Sequence, residues 1–311
     1  MSLTLAFETS CDETSVAVVD SDLKVLSNVV ASQIDIHKRF GGVVPEVASR
    51  NHLLAIESLT DEALRVAGVS LSQVTRIAAT THPGLVGAVM VGRVFAESIA
   101  TARNLPFVEV NHIIGHIASC VLSNLELKPP FIALVVSGGH TSIYRVQDYK
   151  KIKLVASTMD DACGEAFDKV AKVLGLSYPG GPEVSKMASQ FKGDTSLVFM
   201  PNVNYKKTSN FSYSGLKTAV LNCVNRKRQI GKELNIPEIC FAFQREAIGQ
   251  IIAKCEMVKE KLPIAISGGV AANRYLREQF PDAFFPEPEL CGDNAAMIGA
   301  AAILFSDAKI I

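Results

Sequence analysis

No Cys-x-x-Cys pair occurs in the 311-residue chain, and its seven cysteines, Cys11, Cys120, Cys163, Cys223, Cys240, Cys255 and Cys291, are an odd number spread from end to end. These absences exclude a complete disulfide framework, so the thiols are expected reduced and mostly buried. Cys11 and Cys163 flank polar loops, but neither has a base of its own beside it, and both read as packing residues. Charge of one sign is not in excess either: 31 lysines and arginines balance 31 aspartates and glutamates. A global field that would draw in a polyanion is thereby excluded, and any nucleic acid must be met by a local patch. The first residues, Met-Ser-Leu-Thr-Leu-Ala-Phe-Glu, lack a basic n-region and a long apolar core, and no later apolar run reaches spanning length without polar interruption. The expectation is a cytoplasmic protein, or the soluble content of an organelle, with no membrane contact. Low-complexity segments and long linkers are missing too, and 311 residues make about two domains of ordinary size.

What is present is α/β throughout. Residues 3–8 and 15–20 are short apolar runs around the polar turn Thr9-Ser10-Cys11-Asp12-Glu13-Thr14, which predicts a strand pair enclosing a loop. Residues 131–137 and 141–146 repeat the design around Gly138-Gly139-His140, with Thr14-Ser15 and Thr141-Ser142 at matching places after each turn. A third unit runs from an apolar strand at 263–267 through Gly268-Gly269 into a helical pattern ending near Phe280. Backbone amides at such turns can cradle phosphate, although a lone Gly-Gly after a strand is most often an ordinary tight turn. Pro45 and Gly68 fit the first turn and the stop of one helix. Further helices are predicted at 86–103, 113–125, 160–174, 181–191, 214–230, 237–260 and 293–306, and further strands at 76–81, 107–110 and 152–158. Pro129-Pro130 is the strongest boundary signal. It predicts a first domain over 1–128, a second over 129–290, and a C-terminal helix over 291–311 packing back on the first.

Asn111-His-Ile-Ile-Gly-His places His112 and His116 one helical turn apart on one face, which is metal-ligand spacing. Zinc peptidases carry a glutamate directly after the first histidine to deprotonate the metal-bound water, whereas this chain has Ile113. Two unrelated histidines at a helix start are the competing reading.

The repeated hairpin-and-glycine layout is similar to the plan of the actin, Hsp70 and sugar-kinase (ASKHA) superfamily, two lobes with a nucleotide cleft between duplicated domains. More specific motifs run along essentially the whole chain. They are Phe7-Glu-Thr-Ser-Cys-Asp-Glu-Thr-Ser, Gly41-Gly-Val-Val-Pro-Glu-Val-Ala-Ser-Arg, Pro83-Gly-Leu-Val-Gly, Asn111-His-Ile-Ile-Gly-His, Val136-Ser-Gly-Gly-His-Thr, Asp160-Asp-Ala-Cys-Gly-Glu-Ala-Phe-Asp-Lys, Tyr178-Pro-Gly-Gly-Pro, Phe211-Ser-Tyr-Ser-Gly-Leu-Lys and Asp293-Asn-Ala-Ala-Met-Ile. Through them the sequence resembles the tRNA N6-adenosine threonylcarbamoyltransferase family (TsaD/Gcp, formerly the O-sialoglycoprotein endopeptidase family), and its bacterial and mitochondrial branch more than the archaeal one. His82 before Pro83 and Cys163 depart from the wording common in that family; neither carries an assigned role, and His82 reads first as a surface or core histidine.

The resemblance implies transfer of a threonylcarbamoyl group from threonylcarbamoyl-AMP to N6 of the adenosine 3′ of the anticodon, in tRNAs reading codons that begin with A, with release of AMP. It implies His112, His116 and Asp293 as ligands of one divalent metal, Fe2+ or Zn2+, per subunit. For Asp293 a helix N-cap is the alternative. It implies Val136, Ser137, Gly138, Gly139, His140, Asp168, Gly181 and Asn273 as contacts to the donor, in a site that ATP, ADP or AMP can also occupy. Asp12 and Glu13 are candidates to accept the amine proton, against a solvated acidic turn. The implied partners are tRNA and either a hetero-complex with the bacterial synthesis proteins TsaB and TsaE or, for a mitochondrial-type chain, a homodimer.

For tRNA the local patch is residues 205–232, where Lys206, Lys207, Lys217, Arg226, Lys227 and Arg228 lie among aromatics with no acidic residue. A solvated helix face is the plainer reading of such a run. Two other classes compete: a metallopeptidase, which Ile113 opposes, and an Hsp70-like ATPase module, which the hairpins alone would permit.

Overall fold

The computed structural model describes residues 2–200, 208–258 and 261–311. The chain divides into two compact units, one of Met1–Pro129, Gln147–Ile152 and Phe284–Ile311, the other of Pro130–Val146 and Lys153–Ala283.

In the first unit β1 (Leu3–Glu8), β2 (Glu13–Asp20) and β3 (Val25–Ser32) form an antiparallel meander, and β4 (Arg76–His82) and β5 (Phe107–Asn111) extend it in parallel, in the order β3-β2-β1-β4-β5. Every residue of β1 is buried, because both faces of the sheet are covered. The two-residue period of the strand sorts its side chains. Leu3, Leu5, Phe7, Val16, Val18 and Ile77 meet α2 (Pro45–Ala67) and α3 (Val86–Arg103) through Ile56, Ala63, Ala96 and Ala100. A short α1 (Ile34–His37) precedes them. Pro45 opens α2, and Gly68, left-handed at φ +68°, stops it.

The opposite face takes α4 (His112–Ser123) and α10 (Ala295–Leu304). α10 is built of small residues and therefore lies close on its neighbours. A Cβ on Gly299 would stand 2.7 Å from Val19 Cγ2, and one on Gly115 of α4 would stand 2.7 Å from Ile298. β10 (Lys309–Ile310) pairs in parallel with Lys151 and Ile152.

The second unit repeats the plan. β6 (Phe131–Val136) and β7 (Thr141–Val146) form an antiparallel hairpin, β8 (Lys151–Ser157) lies beside β7, and β9 (Ile264–Ser267) pairs with β6 in parallel. The helices are α5 (Cys163–Leu174), α6 (Gly180–Gln190), α7 (Ser214–Gln229), α8 (Ile236–Val258) and α9 (Arg274–Gln279). Register makes the repeat exact to the residue and shifts it by one from the sequence match: Glu8 pairs with Ser15 as Val136 pairs with Thr141. Ser15 and Thr141 are therefore the equivalent pair. Each hydroxyl accepts the first amide of a helix, Ala295 N–H on Ser15 and Cys163 N–H on Thr141, both at 2.8 Å.

Besides the short α1 and β10, which the sequence expectation lacks, two elements differ from it. Val25–Ser32 is a strand that its mixed Ser-Asn-Ser pattern hides, since it is only half-buried at the sheet edge. The helix expected from 160 starts at Cys163, because Asp160 turns instead to α7. There its carboxylate accepts from the Tyr213 and Ser214 amides and from the Ser212 and Ser214 hydroxyls.

Candidate metal centre and glycine turns

The histidine pair stands on a helix that begins at the first of the two. Asn111 caps α4, its side-chain oxygen accepting from Ile113 N–H at 2.8 Å and Ile114 N–H at 3.3 Å. His112 and His116 thus share one face, both buried, with rings edge-to-face at 4.6 Å. The cap of α10 is Asn294, which accepts from Met297 N–H at 3.0 Å, and not Asp293. Asp293 is held one residue ahead of that cap and points Oδ1 to within 3.3 Å of His116 Nε2 and 3.6 Å of His112 Nε2.

These three side chains offer ligand atoms that all lie within 4.8 Å of one another. Ligands about 2.0–2.1 Å from a tetrahedral ion stand about 3.3–3.4 Å apart, close to the 3.3 and 3.6 Å that separate Asp293 from the two histidines. His116 supplies a second test of fit. It is wholly buried, its Nδ1 has no hydrogen-bond partner among the described residues, and its Nε2 faces the Asp293 carboxylate at 3.3 Å, an arrangement that costs stability unless something binds there.

Sequence reasoning missed the residue behind His112. Oε2 of Glu8 is 3.1 Å from His112 Nδ1, and the Glu8 carboxylate also accepts from Ser10 N–H and from Thr80 Oγ1, both at 2.5 Å. Ser10 Oγ lies 3.1 Å from the same Nδ1. A carboxylate with three donors in a dry site is ionised, so Nδ1 carries the proton and Nε2 turns to Asp293. The available signal was a glutamate closing an otherwise apolar buried strand. Burial opposes charge on His112, but Asp293 and Glu8 outweigh it and push its imidazole up to about 9. Burial holds His116 down. A pocket whose carboxylates bind a proton this firmly suits a cation. Ile113 is buried, so nothing stands where a peptidase carries its base.

Asp12 is buried in the turn between β1 and β2, and Glu13 opens β2. Burial, with the neighbouring carboxyls of Asp12 and Asp293, pushes Glu13 up to about 9, and Glu13 is hydrogen bonded to Asp12 and to Ser32 Oγ. The turn therefore holds a proton on Glu13 at neutral pH. Cys163 is buried, with a thiol pushed up to about 12 by desolvation, which fits packing. His82 is exposed and bonded to Thr81, apart from the histidine pair.

In the second unit the glycines fall into two kinds. Gly268 (φ +92°) has Val136 O at 2.4 Å from the place of a Cβ, and a Cβ on Gly164 would meet Ser137 O at 2.6 Å, so these glycines are demanded by the fold. Gly138, Gly139 and Gly181 are neither left-handed nor crowded: a Cβ would meet nothing within 4 Å. The β6–β7 turn is closed by Ser137 N–H to His140 O and His140 N–H to Ser137 Oγ. Asp168 accepts the Gly180 amide at 2.7 Å, which puts it beside Gly181. The Asn273 side chain caps α9 through Leu276 N–H and donates to Gln244, so it is engaged in structure.

Of the basic residues, Lys206 and Lys207 lie outside the described residues. Lys217 pairs with Asp161 at 3.1 Å. Arg226, Lys227 and Arg228 form the last turn of α7, where cations complement the helix dipole, and Arg228 also donates to Val173 O.

The family model described as TsaD, tRNA N6-adenosine threonylcarbamoyltransferase, matches residues 24–300. The tRNA N6-adenosine threonylcarbamoyltransferase of Clostridium perfringens (strain ATCC 13124) is 47% identical over 311 residues, covering 96% of this chain and 91% of the relative. That of Clostridium kluyveri (strain ATCC 8527) is 46% identical over 312 residues with the same coverage. Among solved structures, component A of the Acidaminococcus fermentans (R)-2-hydroxyglutaryl-CoA dehydratase superposes with a TM-score of 0.60 over 99% of this chain and 98% of that one, at 13% identity. HypF of T. kodakarensis gives 0.60 over 98% of this chain and 47% of its own, at 15% identity. These likenesses show the fold, the actin-like ASKHA fold.

Proposed function

The chain belongs to the tRNA N6-adenosine threonylcarbamoyltransferase family, and from that premise we propose that it moves a threonylcarbamoyl group from threonylcarbamoyl-AMP to N6 of the adenosine 3′ of the anticodon, in tRNAs reading codons that begin with A. The observation that carries the reading is the convergence of His112, His116 and Asp293 in front of the buried Glu8 carboxylate. His112 Nε2, His116 Nε2 and an oxygen of Asp293 would hold the metal, Fe2+ or Zn2+. When bound, it would supply Lewis acidity and a template for donor oxygens.

The chain's own residues do the rest. Glu8 keeps the proton on His112 Nδ1 and so keeps Nε2 directed at the ligand set. The N6 lone pair attacks the carbamoyl carbon, the bond from that carbon to the phosphate oxygen breaks, and AMP leaves with the electron pair. The aromatic amine is a weak nucleophile, so positioning supplies much of the rate. Its proton would pass to the Asp12–Glu13 pair, with Asp12 as the acceptor since Glu13 is held protonated. Val136, Ser137, Gly138, Gly139 and His140 would receive the nucleotide, a reading supported by the uncrowded Cβ positions at Gly138 and Gly139 and by Gly181 next to Asp168. The backbone amides of that turn would meet the leaving phosphate. Asn273 would contribute through its main chain.

The reading further places the protein in the cytoplasm, working with TsaB and TsaE or as a homodimer. In support, α3 exposes Val86, Met90 and Val94 one turn apart, and among the described residues no helix is long and apolar enough to cross a membrane. Mass spectrometry of tRNA nucleosides after depletion of the protein tests the function. Threonylcarbamoyladenosine should fall and unmodified adenosine rise at that position; an unaltered nucleoside profile would sink the proposal.

A further inference from the structure

We propose that His52, acting through Gln33 and His37, is a positioning residue that couples the Cys11–Glu13 turn to the exposed 3-10 segment Lys38-Arg39-Phe40; the proposal rests on the reading that the Cys11–Glu13 turn accepts the amine proton. The observation is a buried line of hydrogen bonds with a forced direction. Val44 N–H donates to His37 Nδ1 at 3.3 Å. His37 Nε2 must then carry its proton, and it lies 3.3 Å from Gln33 Oε1. The Gln33 amide nitrogen donates to Ala48 O at 3.3 Å and to His52 Nδ1 at 3.3 Å, and Thr14 Oγ1 donates to that same Nδ1 at 2.8 Å. His52 Nε2 accordingly donates to the carbonyl of Cys11 at 2.9 Å.

Both ends of the line are main-chain groups of fixed polarity. A Val44 amide can only donate and a Cys11 carbonyl can only accept, so the two histidines and the glutamine have one consistent arrangement, with both rings neutral. Burial, which disfavours charge on His52, agrees with this. His37, His52, Gln33 and Thr14 are all buried, and apolar residues would fill the same space at less desolvation cost. What the polar line provides instead is a fixed position for two exposed or reactive segments at once. At one end Gln33 N–H also donates to Asp12 O at 3.0 Å, and Ser32 Oγ to Glu13. At the other, Lys38, Arg39 and Phe40 form an exposed 3-10 turn that ends at Gly41 and Gly42, both at positive φ.

Hydrogen exchange on the full-length protein tests the coupling without any tRNA. His52→Phe should speed exchange of the Val44 amide, at the far end of the relay, and of the Gln33 amide by about tenfold, the equivalent of one lost hydrogen bond, while amides of β6 keep their rates. His52→Gln, whose amide can still donate to Cys11 and accept from Thr14, should restore protection. If His52→Phe does not fold, Gln33→Met cuts the same line at its centre and should give the same pattern. In transfer assays His52→Phe should lower kcat with little change in KM for the donor, and His37→Phe with His52→Phe should cost no more than the larger single loss. Unchanged Val44 exchange, faster exchange spread evenly over the chain, or additive losses in the double variant would overturn the proposal. Coupled exchange in a protein that transfers nothing would instead overturn the function assigned above.

Discussion

Glu8 Oε2 and His112 Nδ1 stand 3.1 Å apart, and this contact fixes which ring nitrogen faces Asp293. Glu8→Gln keeps the shape but replaces a charged acceptor with an amide, so metal affinity should fall about 10–100-fold with the fold retained. Competition against a chelator measures it. An affinity within twofold of the parent would remove Glu8 from the centre.

His116 makes a complementary case, since its Nδ1 is buried without a partner among the described residues and its Nε2 faces Asp293. In metal-free protein His116→Leu should be neutral or stabilising, by up to about 1–2 kcal/mol, because it removes a desolvation penalty. The same variant should lose the rise in Tm that added zinc or ferrous ion produces in the parent. Thermal melts with and without metal read both effects. A destabilised metal-free variant that still gains Tm with metal contradicts the assignment.

The two kinds of glycine separate binding from folding. Gly139→Ala adds a methyl group into open space without backbone strain, so Tm should hold while AMP affinity, read by calorimetry, drops tenfold or more. Gly268→Ala faces Val136 O at 2.4 Å from a left-handed backbone and should lose roughly 2 kcal/mol or more of stability. Unchanged AMP affinity in Gly139→Ala would make that turn structural only.

Glu13 gives a pH signature. Its folded value of about 9 lies above the ordinary 4.5, so the folded state binds the extra proton; that stabilisation is complete below pH 4.5 and is lost as pH rises through 9. Glu13→Gln removes the dependence. In metal-free protein the variant should melt progressively higher than the parent from pH 5 to 9, by about 1–3 kcal/mol at pH 7. Parallel melting curves across that range would mean that Glu13 is ionised.

Replacing Arg226, Lys227 and Arg228 with alanine should weaken binding to all substrate tRNAs alike if these residues meet phosphates. Each lost contact lowers the slope of log affinity against log salt by about 0.7–0.9. Filter binding at several salt concentrations, with partner proteins present, resolves three contacts. An unchanged slope leaves the cluster as the electrostatic complement of the α7 C-terminus.

Much of the fold was legible because it rests on local signals. Pro45 and Gly68 bound α2, and both hairpins follow from apolar runs around polar turns. The histidine pair was legible because four residues make one turn. What escaped depends on distant partners. β3 is half-buried at an edge, so its side chains carry no clean alternation. Asp293 and Asn294 both suit a cap in sequence, and only the packing of α10 shows that Asn294 takes it. Glu8 closes the run 3–8 without any local mark of its role, which depends on Thr80 and His112 being brought to it by the fold. Lys217 looked like part of a basic strip, but Asp161 neutralises it.

The joining of Ala295 to Ser15 also imposes an order in time. During synthesis His112 and His116 leave the ribosome while Asp293 is still untranslated, and α10 can dock on β1 and β2 only after residues 295–304 have emerged. The three candidate ligands are therefore brought together late, and a ribosome that stalls before Asp293 releases a fragment with two histidines and no carboxylate to complete them. Metal binding at these residues, on the function proposed above, would report that synthesis has passed α10.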